Sequence, residues 1–349
     1  MKRWITIFLV LAGVFTMSHF IESCRKNNSS GNFNQTPLAQ VIPAGFPQPH
    51  YKFENNPLTE EGFELGRKLF YDGGLSKDGN FSCASCHQQF AAFSTYDHNL
   101  SHGFNNAFTT RNAPALFNLA WQKEFMDDGG INNIEVQPLA PITAPNEMAE
   151  TIDNVISKLQ ADTKYREMFK SAFGDETINS QRMLKALAQF TCSIVSADSK
   201  YDRVKKGQAS FNAYEQRGYT LFQAKCASCH VEPLFTDLSY RNIGLPIDPY
   251  LKDFGRMKIT NDRADSLKFK VPSLRNVNIT FPYMHDGRFA SLGQCVNHYR
   301  TGIIQSATLD PSLVNGIQFT NAEVVDLVEF LRSLTDSTFI RDVRFAQPQ

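Results

Sequence analysis

Two identical pentapeptides hold the most reactive side chains of this sequence: Cys-Ala-Ser-Cys-His stands at 83–87 and again at 226–230. C-x-x-C-H is the pattern that attaches a c-type haem. Its two thiols can add to the two vinyl groups of the porphyrin, and the adjoining imidazole can turn back onto the iron. Cys83, Cys86 and His87 make one such set and Cys226, Cys229 and His230 the other, with His87 and His230 as proximal iron ligands. Other uses of the thiols fit less well. A disulfide framework leaves the repeated histidine unexplained, and a thioredoxin-like site needs a βαβ context. A zinc site would bring its two Cys pairs closer than the stretch of over a hundred residues found here. Cys192 and Cys295 read as buried thiols outside both sets.

Each set needs elements to hold it, and the flanking sequence supplies them twice. "EEGFELGRKLFYD" precedes the first motif and "NAYEQRGYTLFQAK" the second, both with helical periodicity around a Gly-x-x-Leu-Phe core, at Gly66–Phe70 and Gly218–Phe222. Downstream, "NSQRMLKALAQFTCSIVS" places Met183, Leu184, Leu187 and Phe190 on one helical face. Its counterpart "TNAEVVDLVEFLRSLTD" begins at a cap, Thr320 or Asn321, with Glu323 in the first turn. The expectation is a mainly α fold with two cytochrome c-type domains, residues 51–200 and 201–349, each with a covalent haem. "SADSKYDRVKKGQAS" marks the boundary.

The 349 residues, 42% hydrophobic and 20% charged, suffice for two ordinary globular domains. A formal net charge of zero gives no reason to expect a nucleic-acid partner. Lys2 and Arg3 precede an apolar run from Ile5 to Val14, the layout of an export signal over 1–23, and the run is too short to span a bilayer. Cys24 sits where a lipoprotein is cleaved and acylated, and 24–50 begins with a polar tract suited to a tether. A periplasmic, lipid-anchored protein is expected, in keeping with haem attachment outside the cytoplasm.

From about residue 57 to 336 the chain resembles the bacterial dihaem cytochrome c peroxidase family, including its MauG-like branch. "SHGF", "RNAPALFNLAW", "QPLAPITAPNEM" and "FKVPSLRNVNITFPYMHDGRFASL" carry the likeness in that order. The resemblance implies that hydrogen peroxide reacts at the His87 haem while the His230 haem stores or receives electrons from a small redox-protein or cytochrome donor. It also implies two cytochrome c domains that face each other across a calcium ion, and a homodimer is a further expected assembly. Gln137 and Glu147 match the family's distal-pocket pair. Glu147 is the expected acid–base catalyst, because splitting peroxide heterolytically moves a proton from one oxygen to the other, and Gln137 is expected to orient peroxide or water. His102 stands where many members carry a distal histidine on a mobile loop; its alternatives are an iron cap that leaves on activation and a surface histidine without a metal. Asn112, Thr280 and Pro282 match the calcium ligands, one side-chain oxygen and two backbone carbonyls.

Two positions depart from the simplest pattern. Where the family often carries a Trp between the haems, this chain has Asp127, and the nearby Trp121 does not align. Transfer without that indole, substitution by Trp121 or another aromatic, and weakened coupling all stay open. For the second haem, Met284 is the obvious soft ligand, since Met raises a haem's potential. The resemblance instead places the distal ligand fourteen residues after His285, at Tyr299, a hard anionic donor that favours ferric iron and is found in the MauG-like branch. His298 beside it is expected to point elsewhere. The reaction expected is peroxide reduction. A MauG-like oxidase acting on a protein and a non-catalytic electron carrier are the alternatives.

Overall fold

The computed structural model describes residues 34–96 and 98–349. The export segment and Cys24 lie outside the described residues. The chain is mainly helical. In order it forms α1 (Glu60–Phe70), α2 (Cys83–Cys86), α3 (Leu139–Thr143), α4 (Ile152–Ala161), α5 (Thr163–Phe173) and α6 (Ser180–Ser193). The second half adds α7 (Lys200–Lys205), α8 (Ala213–Lys225), α9 (Met257–Thr260), α10 (Leu292–Asn297) and α11 (Asn321–Arg332). The strands described are a short antiparallel pair, β1 (Tyr240–Arg241) and β2 (Phe269–Lys270), with Tyr240 opposite Lys270. Among the described residues no helix is long and apolar enough to cross a membrane.

Each expected helix pair packs through its glycine. A methyl group on Gly66 would collide with the carbonyl of Ala186 and crowd Phe190, so α1 lies directly on α6. A methyl on Gly218 would meet Asp326 and Phe330 in the same way, pressing α8 onto α11. Threonines cap α1 and α11, and of the two caps expected for α11 the structure uses Thr320. Thr59 Oγ1 accepts from the Gly62 amide at 3.0 Å ahead of α1, and Thr320 Oγ1 accepts from the Glu323 amide at 3.2 Å ahead of α11.

Leu65, Leu69, Phe70, Phe93, Phe169 and Phe190 build the first core, and Tyr201, Phe222, Phe235 and Phe330 the second. Phe339 and Phe345, from the end of the chain, belong to the first core, so that core is completed by residues beyond the division at 200/201. The stretch from Gln35 to 50 also lies on the first half: Gln35 Nε2 donates to the Ala172 carbonyl at 2.6 Å, and Trp121 Nε1 donates to the Pro47 carbonyl at 2.7 Å. Composition suggests a tether there, but these contacts give the polar backbone partners.

The linker between the halves is held from both sides. Asn118 exchanges two hydrogen bonds with the Ser196 backbone, at 3.0 and 2.9 Å, while Asn276 Nδ2 reaches Ser196 Oγ at 2.9 Å. Asn118 and Asn276 occupy matching left-handed conformations, φ 53° and 58°, which asparagine tolerates better than most residues. Nearby, Arg275 and Asp202 form a bidentate pair at 2.9 and 2.8 Å, the arginine side chain wholly enclosed.

Candidate haem and peroxide site

The two pentapeptides fold alike around their histidines. Cys83 and Cys86 occupy the single turn of α2, and Cys226 and Cys229 follow the last turn of α8. His87 Nδ1 lies 3.0 Å from the carbonyl of Phe93; His230 Nδ1 lies 3.1 Å from Phe235 and 3.2 Å from Pro272. A carbonyl can only accept, so each Nδ1 carries the proton and each Nε2 keeps its lone pair for a metal. Burial lowers both imidazole pKa values and keeps the rings neutral, the form that ligates. The carbonyls are aimed by left-handed residues, Ala92 and Phe93 in one half and Phe235 in the other, at φ 56°, 59° and 57°. These donors fit a covalently held haem: paired thiols, an anchored neutral imidazole, and side chains of intermediate exposure inside the molecule.

On the first motif, Glu147 is brought close to Cys83 and Cys86, whose thiols its charge holds upward after the larger effect of burial. Burial alone raises the Glu147 carboxyl, as a proton-moving acid requires. Its backbone is fixed: the Glu147 carbonyl accepts from Phe104 at 2.7 Å, and Gly103 rests so tightly on Asn146 and Glu147 that no larger residue fits. Gln137 and Glu147 flank α3 on its two sides. Among the described residues no hydrogen bond joins them; Gln137 Nε2 instead donates to Met126 Sδ at 3.6 Å. His102 is tied through Nδ1 to Asn106 Oδ1 at 2.7 Å, and its ring lies 4.3 Å from that of Phe108.

On the second motif, Tyr299 sits in one turn of π-helix, His298–Gly302, that continues α10. Single π turns recur at functional sites because the extra residue redirects a side chain. Tyr299 is half-buried, and its pKa is raised first by burial and then by the charges of Cys295, Cys226 and Cys229, which puts it near the haem-attaching thiols. His298 turns away, its Nε2 2.8 Å from the Ile243 carbonyl. Met284 occupies a turn with φ 74°.

Asn112, Thr280 and Pro282 each keep a free acceptor. Among the described residues no hydrogen bond is accepted by the Asn112 side-chain oxygen or by the Thr280 and Pro282 carbonyls, while Asn112 Nδ2 donates to Asn99 O at 3.0 Å. Three unpaired neutral oxygens suit a hard cation.

Asp127, at the departure from the family pattern, lies in a cluster that sequence reasoning did not find. Arg111 bridges Asp128 at 2.7 Å and Asp253 at 2.6 Å, and the Lys270 amide donates to the Asp127 carbonyl at 2.7 Å. The signal that could have found it is a repeated turn. Phe-Met-Asp-Asp-Gly at 125–129 and Tyr-Met-His-Asp-Gly at 283–287 share a left-handed Met, φ 66° and 74°, and a left-handed Gly, φ 73° and 68°. Each is closed by the same bridge, Phe125 with Ile131 and Tyr283 with Phe289.

Comparison with known proteins settles the kinship. The family model of the di-haem cytochrome c peroxidases matches residues 60–210. The methylamine utilization protein MauG of Methylorubrum extorquens is 37% identical over 295 residues, covering 82% of this chain and 81% of that protein. The chain belongs to the dihaem cytochrome c peroxidase family, in its MauG-like branch. Cytochrome c551 peroxidase of Nitrosomonas europaea is 35% identical over 293 residues, 80% of this chain and 81% of its own length. Among solved structures, a MauG-like protein associated with microbial copper homeostasis aligns with TM-score 0.80 and 33% identity over 89% of this chain and 99% of the other. For this dihaem family member, the doubled motif stands for two c-type haems, and the family is one of oxidoreductases.

Proposed function

We propose that this protein reduces hydrogen peroxide to water, taking electrons from a small redox protein or cytochrome. The observation that carries the reading is Glu147: a half-buried carboxyl, raised by burial, near the first haem-attaching thiols, where a carrier of electrons alone needs no acid. Covalent haems at the two pentapeptides supply the redox equivalents and the iron chemistry. His87 and His230 hold them through Nε2, each fixed by its Nδ1 hydrogen bond. Glu147 receives a proton from one peroxide oxygen and delivers it to the other, and Gln137 orients peroxide or water at the same pocket. His102 acts as a cap on the resting first site through Nε2, with Asn106 holding its Nδ1. Asn112, Thr280 and Pro282 hold a calcium ion between two cytochrome c domains that face each other. The export-signal pattern over 1–23 and Cys24 support a periplasmic protein on a lipid anchor. Steady-state turnover of peroxide by the holo-protein with a reduced donor is expected; no turnover and no spectral response to peroxide would sink the reading.

A second reading, oxidation of a residue on a protein substrate, is favoured by Tyr299. Burial keeps the Tyr299 phenol protonated by itself; as an iron ligand it would give up that proton, and its phenolate would suit a low-potential ferric haem rather than the high-potential reservoir that Met gives. Electron paramagnetic resonance of Tyr299→Phe tests the ligand: an altered low-spin signal is expected, and an unchanged one transfers the role to Met284.

A further inference from the structure

Residues 126–127 lie on a continuous path between the two sites. On one side, Met126 Sδ receives the Gln137 amide at 3.6 Å, in the peroxide pocket. On the other, the Asp127 carbonyl receives the Lys270 amide at 2.7 Å, and two residues along the chain the Pro272 carbonyl lies 3.2 Å from His230 Nδ1, on the second proximal ligand. Short covalent and hydrogen-bonded links thus tie the Asp127 backbone to both sites.

Its surroundings are unusual for a carboxylate. It is half-buried, and among the described residues no group donates a hydrogen bond to it, because the neighbouring cations are occupied elsewhere. Lys270 Nζ donates to Gln122 Oε1 and the Glu124 carbonyl, both at 2.8 Å. Arg111 spends its guanidinium on Asp128 and Asp253. Arg256, which also faces this turn, donates to Glu124 and to the Asp128 carbonyl at 3.1 Å. Beyond Arg111, Phe269 stacks on His285 at 3.8 Å between ring centroids, so an aromatic pair closes that side. Burial pushes the Asp127 acid up to about 6; Arg111 and Lys270 pull it down, while Asp128 and Asp253 raise it again. A carboxyl balanced in this way changes protonation with a small change in nearby charge.

We propose that Asp127 is a redox-linked proton site: its carboxylate takes a proton from solvent when the second haem gains an electron and gives it back when that electron leaves. One electron from the donor and one proton from water enter together, so the added negative charge is neutralised inside the protein. An indole at this position has no acid to offer at these pH values, so the aspartate changes what the junction does as well as what it is made of. The proposal rests on two bound haems and does not depend on peroxide being the substrate.

Two measurements on the holo-protein test it. In reduced-minus-oxidised infrared spectra, a protonated-carboxyl band is expected to grow on reduction in the wild type and to be missing in Asp127→Asn. In spectroelectrochemical titrations between pH 5 and 8, the second haem's potential is expected to fall as pH rises. If reduction tightens proton binding tenfold, the total fall is about 59 mV. Asp127→Asn should flatten it, and Asp127→Glu should keep it with a displaced midpoint. The absence of a reduction-linked carboxyl band in the wild type overturns the proposal without any variant. So does an undiminished slope in Asp127→Asn with both haems in place. A protein that shows the band and the slope yet turns over no peroxide keeps this site and loses the peroxidase reading.

Discussion

Gly66 lets α1 lie on α6, and Gly218 lets α8 lie on α11; His87 and His230 each give a proton to a carbonyl five or six residues on. The halves match again in the turns at Met126 and Met284. They part company in what their loops deliver. The first half brings Glu147 to its thiols from beyond α3, whereas the second brings Tyr299 from a π turn. The difference teaches that the frame which presents an iron ligand is separable from the group that decides what happens on the opposite face. A carboxyl there suits proton transfer; a phenol there suits binding iron. One frame thus serves two purposes in a single chain.

The comparison can be broken or sharpened by substitution. Glu147→Gln should cut peroxide turnover by ~10²–10⁴-fold with both haem spectra retained, the usual scale for a general acid–base group. A smaller loss would remove the chemical contrast between the halves. The second half alone contains the wholly enclosed arginine of the Arg275–Asp202 pair, so Arg275→Met should cost about 3–5 kcal/mol in denaturant titrations, by leaving Asp202 buried without its partner. Burial alone would raise the Asp202 acid, but Arg275 and Ser199 outweigh it and hold the carboxyl below its ordinary value of 3.8. A lowered folded-state pKa adds stability that is present above 3.8 and lost as pH falls further through the folded value. Without Arg275, burial holds the Asp202 acid above its ordinary value, so the acid-sensitive contribution belongs to the wild type and the stability gap between it and Arg275→Met should narrow as pH falls.

The shared frame has its own tests. Gly66→Ala and Gly218→Ala each force a methyl into a backbone contact, and each should cost roughly 1–3 kcal/mol. Unequal losses would show that the two helix pairs are not equivalent. Smallest are the caps, Thr59→Ala and Thr320→Ala, at about 1 kcal/mol each by the same measurement.

What could be read from the sequence was local. The helices at 60–70, 180–193, 213–225 and 321–332 announce themselves because periodicity and caps act within a few residues. The pentapeptides announce the haems because thioether chemistry demands adjacent residues. Glu147 was found through its motif, and only the fold shows what raises its acid. The Asp127 cluster was missed because Arg111, Asp253 and Lys270 come together from far apart in sequence, through a short strand that has no periodic pattern. The paired turns were missed for another reason: a left-handed methionine leaves no mark in composition, since methionine is not a residue one expects there.

The chain's last residues carry a consequence for biogenesis. Phe339 and Phe345 fill the core around Phe93, the residue whose carbonyl holds His87. The first half therefore cannot close its interior until Phe339 and Phe345 have been made, after α8 and α11. The amino-terminal cofactor station is finished last, and removing a dozen carboxy-terminal residues should harm the haem farthest from the cut in sequence.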